Sequence, residues 1–129
     1  STFLTEMETS GNLDRVVIMT FSEFGRRVGE NGSKGTDHGA ANCLFVAGGR
    51  VQGGVYGGQP NLSQLIKGNP SYTIDFRSVY SKVMLDWMQQ DPAPVFGSSV
   101  YNSIIEADLP KIPFIKFPSA ARQAWRSYR

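Results

Sequence analysis

The sequence has few features of disulfide-bonded, membrane-spanning or nucleic-acid-binding proteins. The single cysteine, Cys43, cannot form an internal disulfide, and because it lies in an apolar run we expect a packed thiol. No apolar run reaches the roughly 18 residues that a membrane span needs, and the first residues carry no signal-peptide pattern. The formal charge of +2 is too small to indicate a nucleic-acid or membrane surface. We therefore expect no membrane span and no nucleic-acid partner.

Two common catalytic motifs are also missing. No serine lies in a nucleophile elbow, and no glycine run matches a phosphate-binding loop. The 129 residues do contain 40% hydrophobic side chains, enough for the core of one modest domain. Residues 1–8 have the pattern of a helix end that Gly11 stops. This start predicts that the chain begins partway through a larger domain.

Two apolar runs flank a long polar stretch that contains the only histidine, His38. The runs are Val16–Phe21 and Cys43–Gly49, and both are continuous, as in strands that a parallel sheet covers on both faces. A polar loop that follows the carboxyl end of such a strand is where an α/β sheet usually places its ligand site. The sequence therefore predicts a functional loop between the two strands.

The strongest helical signal runs from Thr73 to Met88, where apolar residues recur at helical spacing. Asp75 is placed to cap the N-terminus of this helix, and we prefer that role to metal binding. Met84, Trp87 and Met88 are expected in the core.

The remaining segments give weaker signals. We expect a hairpin or irregular loop over 51–58, a short helical turn around Leu62, Leu65 and Ile66, and an extended edge segment over 112–117. The run at 100–107 fits either a strand or a helical turn. Residues 119–129 fit a short basic helix or a solvated terminus.

Asp37 and His38 are the main candidates for chemistry in the polar stretch. Imidazole suits zinc, iron or copper and carboxylate suits harder cations, so the pair forms part of a possible metal site that Glu23, Glu30 or Asn31 would have to complete. General acid-base catalysis is a second role for His38. From these residues alone, a hydrogen bond that stabilises the loop is the simpler interpretation.

Arg26 and Arg27 precede this pair. Their guanidinium groups could hold an anionic substrate through forked hydrogen bonds, or they could pair locally with Glu23 and Glu30. A nucleophilic role for Cys43 is disfavoured, because a buried thiol is a poor nucleophile.

Several motifs together resemble the C-terminal part of the domain-of-unknown-function 1501 family, which is placed in the alkaline phosphatase and sulfatase superfamily. They are MTFSEFGRR, ENG, GTDHG, VQGG, TIDFRSVYSKVMLDWM and DPAPVFG, and they extend over about residues 3–117. The resemblance implies an α/β fold, namely the C-terminal portion of an alkaline phosphatase-like α/β/α sandwich with a mainly parallel sheet. It implies a partial domain over 1–117 and a basic tail over 118–129.

The superfamily pattern can be placed on this chain residue by residue. Its Thr-Ser-Asp-His-Gly strand end corresponds to residues 21–25, so Glu23 takes the place of the metal-binding aspartate and Phe24 that of the histidine. A later metal-binding histidine corresponds to His38. Phenylalanine cannot bind a metal, so one metal position is weakened and the other keeps a candidate ligand.

Two functions follow from this resemblance. The first is a metal-dependent hydrolase of phosphate or sulfate esters, in which His38 and Asp37 are catalytic, Arg26 and Arg27 bind the substrate, and His38, Asp37 and Glu23 hold zinc, manganese or calcium. The second is a non-catalytic binding or assembly module on a degenerate scaffold.

Family members are about three times longer than this chain, and the superfamily nucleophile lies in their N-terminal half. The chain is thus expected to be inactive alone and to need the missing N-terminal half of the domain or a partner chain. An anionic small-molecule ester is the expected ligand. The resemblance also suggests export to the periplasm.

Overall fold

The computed structural model describes residues 2–116 as a mixed α/β chain. The elements are α1 (Thr2–Thr9), a 3-10 turn (Leu13–Arg15), β1 (Val17–Met19), β2 (Gly25–Glu30), β3 (Thr36–Gly39), β4 (Val46–Gly48), β5 (Leu65–Ile66), β6 (Asn69–Pro70), α2 (Phe76–Val83) continued by a π-helical turn (Met84–Met88), and α3 (Ala93–Phe96). They end with α4 (Ser98–Val100), a second π-helical turn (Tyr101–Ile105), α5 (Glu106–Asp108) and a 3-10 turn (Leu109–Lys111). None of the helices within this range has the length and apolar content that crossing a membrane requires.

The strands form three antiparallel pairs, where a mainly parallel sheet was predicted. Within residues 2–116, β1 pairs with β4, β2 with β3, and β5 with β6. Parallel neighbours need a crossover, usually a helix, that carries the chain back to the starting end. Between β1 and β4 the chain instead forms the β2–β3 hairpin, so β4 returns in the opposite direction to β1. The two predicted strands are confirmed, but they are shorter than predicted, and they pair directly with each other.

Neither β1 nor β4 is buried on both faces, so the prediction that both faces of these strands are covered was wrong. Val46 packs against the hydrophobic core, but Ile18 on β1 is 38% exposed. Phe21 and Phe45 beside the strands are 76% and 71% exposed. The ladder therefore covers the core with one face only.

The predicted polar loop is a β-hairpin. Its turn is organised by Asn31, whose side-chain Oδ1 accepts from the backbone N–H groups of Ser33 and Gly35, each at 3.0 Å. Lys34 adopts a positive φ of 60° in the same turn. Asn-Gly at 31–32 is a dipeptide typical of tight hairpin turns, so a signal for this element was present in the sequence.

The predicted helix over Thr73 to Met88 is confirmed, although it begins at Phe76. Asp75 caps it as predicted, because its carboxylate accepts from the N–H of Arg77 at 2.9 Å. Gln89, with φ of 55°, ends the helical turns. Met88 is 57% exposed, so its assignment to the core was wrong.

The core lies between this helix and the last described segment. Ile112, Phe114 and Ile115 are buried, and the side chains packed on them are those of Val46, Tyr56, Ile74, Val79, Val83 and Trp87. The stretch is extended as predicted, with Ile115 bridging to Val51 and Phe114 accepting from the N–H of Gln52 at 2.6 Å. It lies in the core, however, rather than at an exposed edge.

Three smaller predictions are corrected or decided by the structure, and a fourth lies outside the described residues. Leu65 and Ile66 form β5 instead of a helical turn, because Lys67 and Gly68 both take the positive φ that a two-residue hairpin turn uses. Cys43 is exposed rather than packed. The undecided run at 100–107 is helical. The predicted basic tail at 118–129 lies outside the described residues.

A buried polar network joins the start of α2 to the end of α5. Asp108 is 7% exposed, and its Oδ2 accepts from the N–H of Asp75 at 3.0 Å and from the hydroxyl of Ser78 at 3.1 Å. Its Oδ1 accepts from Nζ of Lys111 at 2.9 Å. Arg77 donates two side-chain hydrogen bonds to Asp75, at 2.8 and 2.7 Å. The network fixes two helices that are far apart in sequence.

Both carboxylates are held in their ionised form. The hydrogen bonds from the Arg77 side chain, which outweigh the effect of burial, lower the pKa of Asp75. Burial alone would raise the pKa of Asp108, but hydrogen bonds from the Asp75 amide, Lys111 and Ser78 outweigh it and lower that pKa.

These lowered pKa values predict acid sensitivity. A carboxylate with a depressed folded-state pKa contributes stability that is present above its unfolded-state pKa and is lost as pH falls through the folded value. We expect the free energy of unfolding, measured by urea titration, to be nearly flat from pH 7 to 5 and to fall below about pH 4. The double variant Asp75→Asn/Asp108→Asn should have a lower plateau and a shallower acid limb. An unchanged acid limb in that variant would contradict the assignment.

Candidate functional site

One face of the β2–β3 hairpin brings together an aromatic ring, a guanidinium group and the imidazole. Arg26 and His38 are directly opposite each other on β2 and β3. The His38 ring stacks on Phe24 with ring centroids 3.6 Å apart and planes 12° apart. The Arg26 guanidinium carbon lies 5.0 Å from the centroid of the Phe24 ring. We call these three residues the hairpin platform.

The sequence folds this way because strand neighbours alternate between faces. Opposite residues of an antiparallel pair share a face, which places Arg26 beside His38. Phe24 lies just before β2, in a turn where the Ser22 hydroxyl donates to the carbonyl of Phe24 at 2.8 Å. The guanidinium is further oriented by its Nη1, which donates to the carbonyl of Thr36 at 2.8 Å. The platform is therefore held by backbone pairing and two local hydrogen bonds.

The predicted catalytic pair does not converge. Asp37 and His38 are consecutive on β3, so their side chains project from opposite faces of the hairpin. The Asp37 carboxylate accepts from Nδ2 of Asn31 at 3.0 Å. Within residues 2–116 the His38 imidazole has no hydrogen bond and no carboxylate partner. Asp37 thus stabilises the turn while His38 belongs to the platform.

The remaining predicted site residues lie around the hairpin. Glu23 is exposed in the bend before β2. Arg27 follows Arg26 on β2 and so faces the other side, where its Cδ lies near Gly68 of the β5–β6 turn. The predicted local ion pairs of the two arginines with Glu23 or Glu30 do not occur in the described part of the chain.

Two glycines and one asparagine fix the base of the platform. Gly25 and Gly39 are opposite each other, and a Cβ on Gly25 would overlap the backbone carbonyl of Ala41. Asn69 connects the β5–β6 hairpin to the end of β3, because its Oδ1 accepts from the N–H of Ala40 at 2.9 Å. The carbonyl of Gly68 also accepts from Val28 at 3.3 Å. These contacts seat β2 against the β5–β6 hairpin.

Sequence reasoning missed the role of Phe24, which it treated only as a position that had lost a metal ligand. Phe24 stacks on the His38 ring. Asn69 gave no signal, because its contact spans 29 positions in the chain.

The described residues do not by themselves form a metal centre. Within residues 2–116 there is no group of three or more His, Cys, Asp or Glu side chains that could hold a metal ion. Three or four ligands are needed for a zinc site. Any metal site at this hairpin would need ligands from elsewhere.

One protein family matches most of the sequence. The family described as "Protein of unknown function (DUF1501)" matches residues 1–97, about three quarters of the sequence. The chain belongs to this family. The DUF1501 match includes both hairpins and α2, so the whole hairpin platform lies in the matched region. No curated protein and no solved structure matches the chain.

The DUF1501 match ends at Gly97, before the segment that contains Asp108. The buried network therefore joins α2 inside the matched region to a carboxylate outside it. The residues beyond the DUF1501 match also supply Ile112, Phe114 and Ile115 to the core. The core depends on both parts.

Proposed function

We propose that this chain is a non-catalytic binding module whose hairpin platform binds the anionic group of a phosphate or sulfate ester. The observation that carries the proposal is that Arg26 and His38 meet on Phe24 while Asp37 is held at the turn by Asn31. Donor groups thus gather on one face without an acidic side chain bonded to them. Such a surface suits an oxyanion better than a metal ion.

The chemistry of the platform supports this choice. Arg26 uses Nη1 for the Thr36 carbonyl, which leaves other guanidinium N–H groups to bind oxygen atoms. His38 can donate a further hydrogen bond from its ring. Phe24 holds both groups in place and leaves an apolar surface beside them for the organic part of an ester. Hydrolysis would need a nucleophile and metal ligands that these residues do not provide.

We further propose that the scaffold is the C-terminal part of an alkaline phosphatase-like sandwich with a mainly parallel sheet. Support comes from the resemblance of residues 21–25 and 38 to its metal-binding positions and from the contact between Phe24 and His38. The three antiparallel pairs would then be peripheral parts of a larger sheet. Its remainder, with the missing strands, would come from the N-terminal half of the domain or from a partner chain.

Anion binding can be tested by NMR titration of the chain with inorganic sulfate and with phenyl phosphate. We expect Arg26→Ala to raise the Kd at least about 10-fold, because a charge-assisted hydrogen bond contributes roughly 1.5 to 3 kcal/mol. Arg27→Ala is the matched control, since it removes the same charge from the other face of the same strand. It should change the Kd less than about threefold.

Equal losses in the two arginine variants would show that net charge, and not the platform, attracts the anion. No binding of either anion by the unmodified chain would exclude the proposal. His38→Gln replaces the imidazole with an amide that can still donate a hydrogen bond. This variant should weaken binding less than Arg26→Ala.

A metal-dependent ester hydrolase is the second candidate. It is favoured by one observation, namely that Glu23 and His38 are exposed and, within residues 2–116, have no ion-pair partner. Elemental analysis for zinc, manganese and calcium, with assays on aryl phosphate and sulfate substrates, separates the two candidates when it is done on a protein that contains this chain and the N-terminal half of the domain. About one metal per chain, lost together with turnover in His38→Ala, would favour the hydrolase.

A further inference from the structure

The turn of the β2–β3 hairpin contains the only Asn-Gly dipeptide of the chain, Asn31-Gly32. In such a dipeptide the backbone nitrogen of the glycine can attack the side-chain carbonyl carbon of the asparagine, because the glycine has no side chain to hinder the approach. Asn31 is therefore the asparagine whose neighbour obstructs this attack least. The other asparagines all precede a residue that has a side chain, and they are Asn12, Asn42, Asn61, Asn69 and Asn102.

The attacking nitrogen, that of Gly32, is free of hydrogen bonds. Within residues 2–116 its N–H donates to no acceptor, whereas the N–H groups of Ser33, Lys34 and Gly35 all bond to Asn31. Gly32 is exposed, and a Cβ built on it would meet no atom within 4 Å. Hydroxide can therefore reach this N–H, and its deprotonation breaks no bond of the turn.

The amide that is attacked is polarised by the turn. Oδ1 of Asn31 accepts from the N–H groups of Ser33 and Gly35, each at 3.0 Å. Two donors on one carbonyl oxygen stabilise the negative charge that develops there when its carbon is attacked, as in an oxyanion hole. The nitrogen that would leave, Nδ2, donates to Asp37 at 3.0 Å. These bonds hold the amide against the segment that follows it in the chain, which includes Gly32.

We propose that Asn31 is a self-modification site, at which attack by the Gly32 nitrogen converts asparagine to aspartate and isoaspartate and releases the hairpin turn. The nitrogen of Gly32 loses its proton to hydroxide and forms a bond to Cγ of Asn31. The bond from Cγ to Nδ2 breaks, and Nδ2 takes a proton from water and leaves as ammonia. Water then opens the cyclic imide at either carbonyl. The net change is one water consumed and one ammonia released.

Both products remove contacts that organise the turn. Aspartate puts a second carboxylate in place of the amide that donates to Asp37, so two negative charges face each other. Isoaspartate routes the backbone through the former side chain, which displaces the carbonyl that accepts from Lys34 at 3.0 Å. Thr36, whose carbonyl accepts from Arg26, follows this turn directly. Modification of Asn31 therefore also loosens the support of the Arg26 guanidinium in the hairpin platform.

Peptide mapping by mass spectrometry, after the full chain is incubated for days at mildly alkaline pH, tests the proposal. We expect the peptide that contains Asn31 to gain one mass unit and to separate into two products of equal mass. Peptides with the other asparagines should change several-fold more slowly. Hydrogen exchange at the Gly35 amide, which is bonded to Asn31 before modification, should become faster in the modified protein.

Gly32→Ala is the matched control. The turn has room for the added methyl group, and φ of Gly32 lies outside the left-handed region, so the variant should fold as the unmodified chain does. The methyl group hinders the attack, and the mass gain at Asn31 should slow at least about 10-fold. The Gly35 amide of this variant should keep its protection through the same incubation.

Three results would overturn the proposal. The first is a folded chain in which Asn31 stays intact while the chain unfolded in urea is modified, because the turn would then protect the amide. The second is an equal rate of modification in Gly32→Ala, and the third is a modified protein whose Gly35 amide stays protected.

The effect of the modification on the platform rests on the proposed function and is measured separately. The modified protein should bind inorganic sulfate at least about threefold more weakly, because the new carboxylate adds a negative charge to the hairpin. A chain that is modified at Asn31 but binds no sulfate before or after would refute the binding role and support the self-modification.

Discussion

Gly25→Ala is expected to unfold the β2–β3 hairpin and to lower the free energy of unfolding by about 3 kcal/mol or more. Gly25 is buried, and an added Cβ would overlap the carbonyl oxygen of Ala41. The overlap is with backbone, so no side-chain rotation can relieve it. Either the turn after β3 moves or the pairing of Gly25 with Gly39 is lost. Urea unfolding followed by circular dichroism gives the change.

Gly29→Ala is the matched control in the same strand. A Cβ at Gly29 would have no atom within 4 Å, so this variant should change the free energy of unfolding by less than about 1 kcal/mol. The Gly25 variant should also lose the contact between Phe24 and His38. Equal stability of the two variants would show that the hairpin does not approach Ala41 as described.

Asp108→Ala is the second change with a large expected effect, a loss of about 3 kcal/mol of stability. It leaves the hydroxyl of Ser78, which is fully buried, and the N–H of Asp75 without their acceptor. Buried donors that lose a charged acceptor are costly, because water cannot replace it. The variant should melt at a lower temperature, as differential scanning calorimetry would show.

Lys111→Met separates the buried contacts of Asp108 from its exposed one. The Lys111 side chain is 55% exposed, so its ion pair with Asp108 is screened by solvent. We expect this variant to lose less than about 1 kcal/mol. A loss as large as that of Asp108→Ala would mean that the ion pair, rather than the buried hydrogen bonds, holds the two helices together.

The helix and its cap were predictable from the sequence because their causes are local. The spacing of apolar side chains indicates a helix, although the fully buried side chains of α2 are those of Ser78 and Ser81. Asp75 caps the helix by accepting a hydrogen bond from the N–H of Arg77, two positions ahead. The strands within the Val16 and Cys43 runs were also predictable from their apolar content. The antiparallel direction of these two strands was not predictable, because it depends on the β2–β3 hairpin that connects them.

The hairpin was missed because its strands carry little apolar periodicity. β2 has the sequence GRRVGE, and five of its six residues are exposed. It is held by backbone pairing, by Asn31 at the turn and by Asn69 from another hairpin, which a search for buried strands cannot detect. The Asn-Gly dipeptide was the one local signal.

Two of the three members of the candidate site were predictable, but Phe24 and the arrangement of the three were not. Arg26 and His38 were identified by residue type, yet their contact through Phe24 depends on the register of the hairpin. The same register separates Asp37 from His38. Two residues adjacent in sequence are easily assigned to one site, but consecutive residues of a strand project from opposite faces.

The ring-proton shifts of His38, recorded by NMR before and after addition of inorganic sulfate, test the binding platform most directly. His38 is the only histidine in the chain, so its signals can be assigned without ambiguity. We expect upfield shifts from the stacked Phe24 ring, lost in Phe24→Leu, and a saturable change with sulfate that Arg26→Ala weakens. Ring protons at the positions of an unstructured peptide, with no response to sulfate, would contradict it.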